Sequence, residues 1–197
     1  MRRSIASVLS LLTLAACSRP DRSGDTATDT THGSATMATS SFSLTSSAFS
    51  NGGSIPTQFT CDGANRSPPL AWSAAPPATA SFALTVEDPD APGGTFIHWV
   101  IYRIPAATTS LPENVPRGGS VAQIGGALQG KTGFGGALGY GGPCPPQGAA
   151  HHYHFRLVAL DTPLRLEEGA SRDQLVAAMR GHEIAMAELT GTYARNR

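Results

Sequence analysis

The chain has 197 residues, enough for one domain with flexible ends, and its 14 basic side chains balance 14 acidic ones. Charged residues make up only 14 % of the sequence, while 22 Gly and 15 Pro favour short strands joined by turns over long helices. Because the net charge is zero and no basic run occurs, we expect no nucleic-acid partner.

Residues 1–16 have the pattern of an export signal. Two arginines precede a short apolar stretch, and Leu14-Ala-Ala-Cys17 follows. About ten apolar residues are too few for a stable membrane-spanning helix, so a cleaved signal is expected. The Leu-Ala-Ala-Cys sequence resembles a bacterial lipobox, which implies cleavage before Cys17 and acylation of this cysteine. An ordinary secretory signal is the alternative.

Residues 17–40 are expected to form a lipidated, disordered tether, since Ser, Thr, Ala, Gly and Asp dominate and offer little apolar surface to bury. Acyl chains on Cys17 would hold the protein on a membrane of the cell envelope. Ser18 follows the cysteine instead of Asp, so the lipobox resemblance favours the outer membrane, facing the periplasm.

The predicted folded domain covers residues 41–197 and is mainly β. Short apolar runs bounded by Gly, Pro, Asn or Asp are typical of β-sandwich strands. These runs are residues 42–49, 81–86, 96–104, 121–124 and 154–160. The stretch 99–105 is more continuously apolar than the others, which indicates a central strand.

Near the C-terminus the pattern predicts one or two short helices. Ser171-Arg-Asp-Gln174 is a capping box ahead of Leu175 and Val176, which predicts a helix start. Gly181 is expected to interrupt this helix, and residues 182–189 are predicted to form a second helical turn or two.

Residues 125–132 match the P-loop pattern G-x-x-x-x-G-K-[ST]. A P-loop works only when a helix follows and directs its N-terminal amides at phosphate groups. Residues 133–143 contain six glycines and a proline, and such a segment does not form a helix. We therefore interpret the match as a glycine-rich connector and expect no nucleotide cofactor.

Several side chains are of metal-ligand type. Because side chains alternate along a strand, His151 and Tyr153 share one face while His152 and His154 share the other. The second pair has the spacing of a chelate, but a zinc site needs more ligands and second-shell support. We expect no metal and interpret His152 and His154 as partly exposed strand residues. The full set is Asp88, Asp90, His98, Cys144, His151, His152 and His154.

The main functional candidates lie in two segments, residues 88–99 and 141–155, each of which joins a Pro/Gly turn to a strand that carries histidine. If the turns meet in space, they form a small polar pocket. The imidazoles of His98 and His151 are then donors for a phosphate-sized anion.

Other groups are expected to complete this pocket. The Tyr153 hydroxyl and the backbone amides of Gly141 and Gly142 are further candidate donors. Asp88 and Asp90 would hydrogen-bond the imidazoles and fix their tautomers. The alternative is that residues 88–92 form an ordinary Asx/Pro turn without a ligand.

These segments resemble the phosphatidylethanolamine-binding protein family, in its bacterial and archaeal Raf-kinase-inhibitor-like branch. The resemblance spans residues 42 to about 194, essentially the whole predicted domain. The similar stretches, in order, are residues 59–72, 87–92, 96–99, 134–135, 140–148, 151–155 and 191–193.

The resemblance implies an antiparallel β-sandwich with an anion pocket and C-terminal helices. The chain departs from the family pattern at His152, where Arg is frequent, and at His154, where an apolar residue is usual. Family members bind phospholipid headgroups or phosphate-like anions, and some inhibit kinases or proteases. The implied pocket residues are Asp88, Pro89, Asp90, His98, Gly142, Pro143, His151 and Tyr153.

Two cysteines, Cys61 and Cys144, remain if Cys17 is acylated. Both lie in turn segments, and an exported protein meets an oxidising compartment. We predict that they form a disulfide next to the pocket turn; two free thiols are the alternative.

The leading hypothesis is a lipid-anchored, non-enzymatic module that binds a small anion or a phospholipid headgroup. A protease- or kinase-inhibitor-like protein interaction module is the first alternative. A hydrolase with His98 or His151 as base and Asp88 as the orienting acid is the second, although no nucleophile lies in a recognisable elbow. The oligomeric state stays open, with a homodimer as one alternative.

Overall fold

The computed structural model describes residues 41–195, which contain nine strands and one α-helix. The predicted signal sequence, Cys17 and the tether lie outside the described residues. The strands are β1 (Ser43–Thr45), β2 (Leu70–Ser73), β3 (Ser81–Asp88), β4 (Phe96–Pro105), β5 (Ser110–Leu111), β6 (Ser120–Val121), β7 (Ala127–Gln129), β8 (His151–Leu160) and β9 (Glu183–Tyr193), and the helix is α1 (Arg172–Met179).

The strands form two sheets in which every pair of neighbours is antiparallel. The smaller sheet has the order β1-β2-β5, and the larger has the order β6-β7-β4-β3-β8-β9. The mainly-β antiparallel sandwich is thus confirmed. Strand β4, which contains the apolar stretch 99–105, lies inside the larger sheet, as its continuous hydrophobicity predicts.

Strand β3 is buried along its whole length because both faces of the larger sheet are covered. Phe82, Leu84 and Val86 alternate on the face that meets the smaller sheet, in the core that also holds Trp72. Ala83 lies on the opposite face, in the cluster that includes Leu175 of the helix. One strand therefore connects the inter-sheet core to the helix-covered layer.

Helix α1 begins as the sequence predicts. The Ser171 hydroxyl accepts a hydrogen bond from the Gln174 amide at 3.2 Å, and the Gln174 side chain accepts one from the Ser171 amide at 2.8 Å. This reciprocal capping box satisfies two amides that the first helical turn would otherwise leave unpaired.

The predicted second helix over residues 182–189 is wrong. Gly181, at φ +81°, turns the chain, and residues 183–193 form β9, which pairs with β8. Ala187 and Leu189 are buried toward the sandwich core, while Met186 and Glu188 point outward. The segment contains good helix formers, but pairing with a long neighbouring strand outweighs that local preference.

The glycine-rich stretch at residues 125–132 is a connector with a short strand. Gly125 and Gly126 both have positive φ, and β7 pairs with β4 and β6. No helix follows within residues 133–143, so the P-loop pattern has no structural counterpart. Among residues 41–195, no helix is both long and apolar enough to cross a membrane.

Candidate functional site

The two turn-and-histidine segments meet at one end of the larger sheet. Strands β3 and β8 are antiparallel, with Glu87 opposite His154, so Asp88 at the end of β3 lies beside His151 at the start of β8. The β4 start joins them, with Asp88 opposite Phe96. Strand pairing therefore brings together side chains that are 63 positions apart in sequence.

Asp88 and His151 form a buried pair at this end of the sheet. His151 Nδ1 donates to Asp88 Oδ2 at 2.8 Å, and the side chains of His151 and Asp88 are only 12 % and 4 % exposed. Asp88 Oδ1 accepts the amide of Asp90 at 2.9 Å. The alternative of an Asx-type turn is therefore also realised, because the same carboxylate closes the turn and orients the imidazole.

His98 is the second imidazole of the site. Its Nδ1 lies 2.8 Å from the carbonyl oxygen of Gly141. Because a carbonyl can only accept, Nδ1 carries the hydrogen, and Nε2 of the neutral ring is left as an acceptor. Burial lowers the pKa of His98, an effect that the Gly141 carbonyl and the nearby Asp88 charge only partly offset.

A cavity of about 160 Å³ opens between these groups. At roughly 30 Å³ per water it holds a few waters or one phosphate-sized group. Its polar lining comes from Asp88, His98 and His151. The remaining walls are Ala91, Pro92, Phe96, Phe134, Cys144, Pro145 and Pro146.

The backbone amides that the sequence suggested as anion donors are occupied. The Gly141 amide donates to the His98 carbonyl at 2.9 Å, and the Gly142 amide donates to Asn65 Oδ1 at 2.7 Å. A Cβ at Gly142 would lie 2.2 Å from the Phe59 carbonyl oxygen, so only glycine fits there. Gly142 and Pro143 thus do not line the cavity; they precede Cys144, which does.

Asp90 faces a different histidine from the one expected. Its Oδ2 accepts both the backbone amide and Nδ1 of His152, at 2.8 and 2.7 Å, and these hydrogen bonds lower the pKa of Asp90. Both side chains are exposed, and the turn residue Pro89 is exposed beside them. Two hydrogen-bonded pairs therefore hold the turn at residues 88–92: Asp88–His151 inside the site and Asp90–His152 on the surface.

Side-chain alternation along β8 separates the histidines as predicted. His152 and His154 point away from His151 and Tyr153, and His154 Nδ1 lies 2.9 Å from Glu188. Among the described residues, no group of three or more His, Cys, Asp or Glu side chains has the arrangement of a metal site.

Tyr153 supports the site from beneath. Its ring packs at right angles to His98 with centroids 5.1 Å apart, and its hydroxyl is buried without a hydrogen-bond partner. Burial, together with the nearby Asp88 charge, raises the pKa of Tyr153, so the hydroxyl stays protonated. Tyr153 is not among the residues that line the cavity.

The structure contains the Cys61–Cys144 disulfide, with Cα atoms 5.4 Å apart. The Cys61 amide also donates to the Pro143 carbonyl at 3.0 Å. Because Cys144 lines the cavity, the covalent bond fixes the Pro-rich wall to the turn at residues 60–63.

Sequence reasoning missed the aromatic walls and Asn65. The rings of Phe96 and Phe134 meet edge to face at 4.8 Å, and both lie about 5 Å from His98. Asn65 adopts a positive φ of 54° and positions Gly142. Both phenylalanines lie in stretches that carry the family resemblance, and this resemblance could have identified them as candidate site residues.

Together, the antiparallel sandwich and its end-of-sheet cavity of two histidines and an aspartate define a binding-type protein. A family model, described as phosphatidylethanolamine-binding protein, matches residues 45–194. The chain belongs to this family.

Relatives support the assignment. A UPF0098 protein from Methanothermobacter thermautotrophicus is 49 % identical over 152 residues, which cover 77 % of this chain and 98 % of the relative. A UPF0098 protein from Aquifex aeolicus is 45 % identical over 153 residues, covering 77 % and 87 %.

Two solved structures are similar in fold and sequence. A phosphatidylethanolamine-binding protein homologue from Chlamydia trachomatis has a TM-score of 0.71 at 42 % identity, over 79 % of this chain and 99 % of that one. YbcL from E. coli, described as a new member of the mammalian PEBP family, has a TM-score of 0.74 at 38 % identity, over 80 % and 100 %.

Proposed function

We propose that the domain is a non-enzymatic binding module whose cavity takes a small anionic group such as phosphate, a phosphate ester or a phospholipid headgroup. The observation that carries the proposal is the convergence of the Asp88–His151 pair and His98 on one cavity. Aromatic and proline walls surround these polar groups, as is typical of ligand sites.

The ligand charge is balanced through His151. Its Nδ1–H is held by Asp88, which turns Nε2 toward other partners, and a ring that carries both hydrogens offers Nε2–H to a ligand oxygen. Asp88 does not repel the ligand strongly, because both of its oxygens already accept hydrogen bonds. The apolar walls lower the polarity around the ligand, which strengthens a hydrogen bond between charged groups.

A role without catalysis is supported by the chemistry of the lining. Among the described residues, no serine or threonine lines the cavity, and the sulfur of Cys144 is held in the disulfide. His151 has an orienting acid, but it has no side-chain nucleophile within this lining to activate.

Calorimetric titration with phosphate, phosphoethanolamine and acetate tests the proposal. We expect heat of binding from at least one of them and its loss in His151→Ala. The matched control is His182→Ala, since His182 also pairs with an acid, Asp161, at 2.9 Å, but at the other end of β8. No heat from any probe, or unchanged binding in His151→Ala, would reject the assignment.

A protein interaction module is the second candidate. Phe134 is 40 % exposed at the cavity although it is a large apolar residue, and an exposed aromatic side chain is a typical anchor for a protein partner. Capture of a periplasmic protease or kinase that is inhibited by the native protein but not by Phe134→Ser would favour this function.

We further propose that Cys17 is acylated and that the protein is held on the outer membrane, facing the periplasm. The proposal rests on Leu14-Ala-Ala-Cys17 and on Ser18. Metabolic labelling with a palmitate analogue should mark the wild-type protein and not Cys17→Ala, which should appear in the soluble fraction. An unlabelled wild-type protein would contradict the anchor.

A further inference from the structure

We propose that the cavity selects an oxyanion that carries a proton, such as monoanionic phosphate or a phosphate monoester, over oxyanions that carry none, such as sulfate or a phosphate diester. This inference rests on the proposed anion-binding function and narrows its ligands to phosphate and phosphate monoesters, because the phosphate of an intact phospholipid headgroup is a diester. It follows from the hydrogen bonds that the two imidazoles lining the cavity already make and those they can still make.

The decisive group is His98. Its Nδ1–H is committed to the Gly141 carbonyl at 2.8 Å, so Nε2 is the only nitrogen left for a ligand. In the neutral ring this nitrogen is an acceptor. A bound group that approaches His98 must therefore bring a hydrogen of its own.

The surroundings of His98 disfavour the charged form of its ring. The titratable groups that face it are Asp88 from β3 and His151 and Tyr153 from β8, and the segments at Phe134 and Gly141 add none. The Asp88 carboxylate is already paired with His151, and burial lowers the pKa of His98.

The other three donors that the sequence suggested do not supply a hydrogen bond at His98. The amides of Gly141 and Gly142 are bonded within the protein, and the Tyr153 hydroxyl is buried outside the lining. The two imidazoles that line the cavity therefore differ: Nε2 of the neutral His98 ring accepts a hydrogen bond, whereas Nε2 of His151 donates one when this ring carries both hydrogens, a form that a bound anion favours.

A monoanionic phosphate matches both groups. One of its oxygens accepts from His151, and its hydroxyl donates to His98. Sulfate and dimethyl phosphate lack the hydroxyl, so an oxygen lone pair would face the lone pair of His98. Because His98 is buried, such a mismatch leaves its acceptor unpaired, and we expect at least about tenfold weaker binding.

Titration calorimetry of the wild-type protein at pH about 7, which lies above the lowered pKa of His98, tests the inference with three probes. Phosphate is expected to bind at least about tenfold more tightly than sulfate and dimethyl phosphate. Dimethyl phosphate is the charge-matched control, because it is a monoanion without a proton.

Each outcome decides something. Equal binding of phosphate and dimethyl phosphate, or equal binding of phosphate and sulfate, overturns this inference and leaves the anion site standing. Acetate binding with no phosphate binding also overturns this inference alone. If no anion binds, the proposed function fails and the inference fails with it.

His98→Asn supplies a second measurement. The Asn amide can replace the Nδ1–H donor to Gly141 but provides no acceptor at the Nε2 position. In a variant that unfolds cooperatively, phosphate affinity is expected to fall to within about threefold of sulfate affinity, as a lost hydrogen bond predicts. Retained tenfold selectivity in this variant would overturn the role of His98.

Discussion

Removal of the Cys61–Cys144 disulfide should lower the stability of the domain strongly. The bond joins positions separated by 83 residues, so its loss frees a long loop in the unfolded chain. The chain-entropy model gives a loss of about 4.5 kcal/mol at about 25 °C for a loop of this length. This is a large share of the roughly 5–15 kcal/mol that typically stabilises a domain.

The perturbation is the double variant Cys61→Ser/Cys144→Ser, and the assay is urea denaturation. We expect the free energy of unfolding to fall by about 3–5 kcal/mol. The dependence of this free energy on urea should steepen, because an unlinked unfolded chain exposes more surface. Cys17→Ala is the matched control, and it should leave the folded domain unchanged.

A loss below about 1 kcal/mol with an unchanged urea dependence would refute the reasoning, since it would mean that the unfolded chain gains little freedom. Anion titration of the same variant adds a separate result. Because Cys144 lines the cavity, we expect weaker binding even in the fraction that stays folded.

Three further predictions concern stability. Glu87→Gln removes a carboxylate that is 5 % exposed and accepts a hydrogen bond from Arg172 at 2.9 Å. Because the arginine is partly exposed, we expect the free energy of unfolding, measured by chemical denaturation, to fall by about 1–2 kcal/mol. The control is Asp173→Asn, whose side chain is 93 % exposed and which should change this free energy little. Ser171→Ala deletes the helix cap and should cost about 1 kcal/mol in the same assay, and no loss would contradict the capping role. Because the pKa of His98 is lowered below 6.5 in the folded state, the unfolded chain binds the proton first, so stability should fall as the pH drops below about 6.5. Comparison of urea midpoints across this range should show that slope reduced in His98→Asn, and an unchanged slope would reject the assignment.

Patterns with a local physical cause could be predicted from the sequence. Ser171 and Gln174 cap the helix because their spacing alone sets which amides they reach. His151 and His152 lie on opposite faces because alternation is a property of any strand. The disulfide partners followed from the cysteine count and the expected compartment.

Features that depend on distant partners could not be predicted in this way. Residues 183–193 became a strand because β8 was available to pair with them. Asp90 pairs with His152, and the Asn65 side chain accepts a hydrogen bond from the Gly142 amide. The residues next to Asp90 and Asn65 in sequence do not predict either partner. Hydrogen-bond partners of this kind are fixed by the packing of the whole domain.

The sequence by itself determined the sandwich class and the two segments that build the site, because turns and strand periodicity are encoded locally. The family followed from the resemblance of its motifs. Only the tertiary structure decided which groups remain available to a ligand. It committed the amides of Gly141 and Gly142 and the Nδ1–H of His98 to internal hydrogen bonds. Buried polar groups must find hydrogen-bond partners within the fold. Only the donors and acceptors that the fold does not use in this way remain available to a ligand.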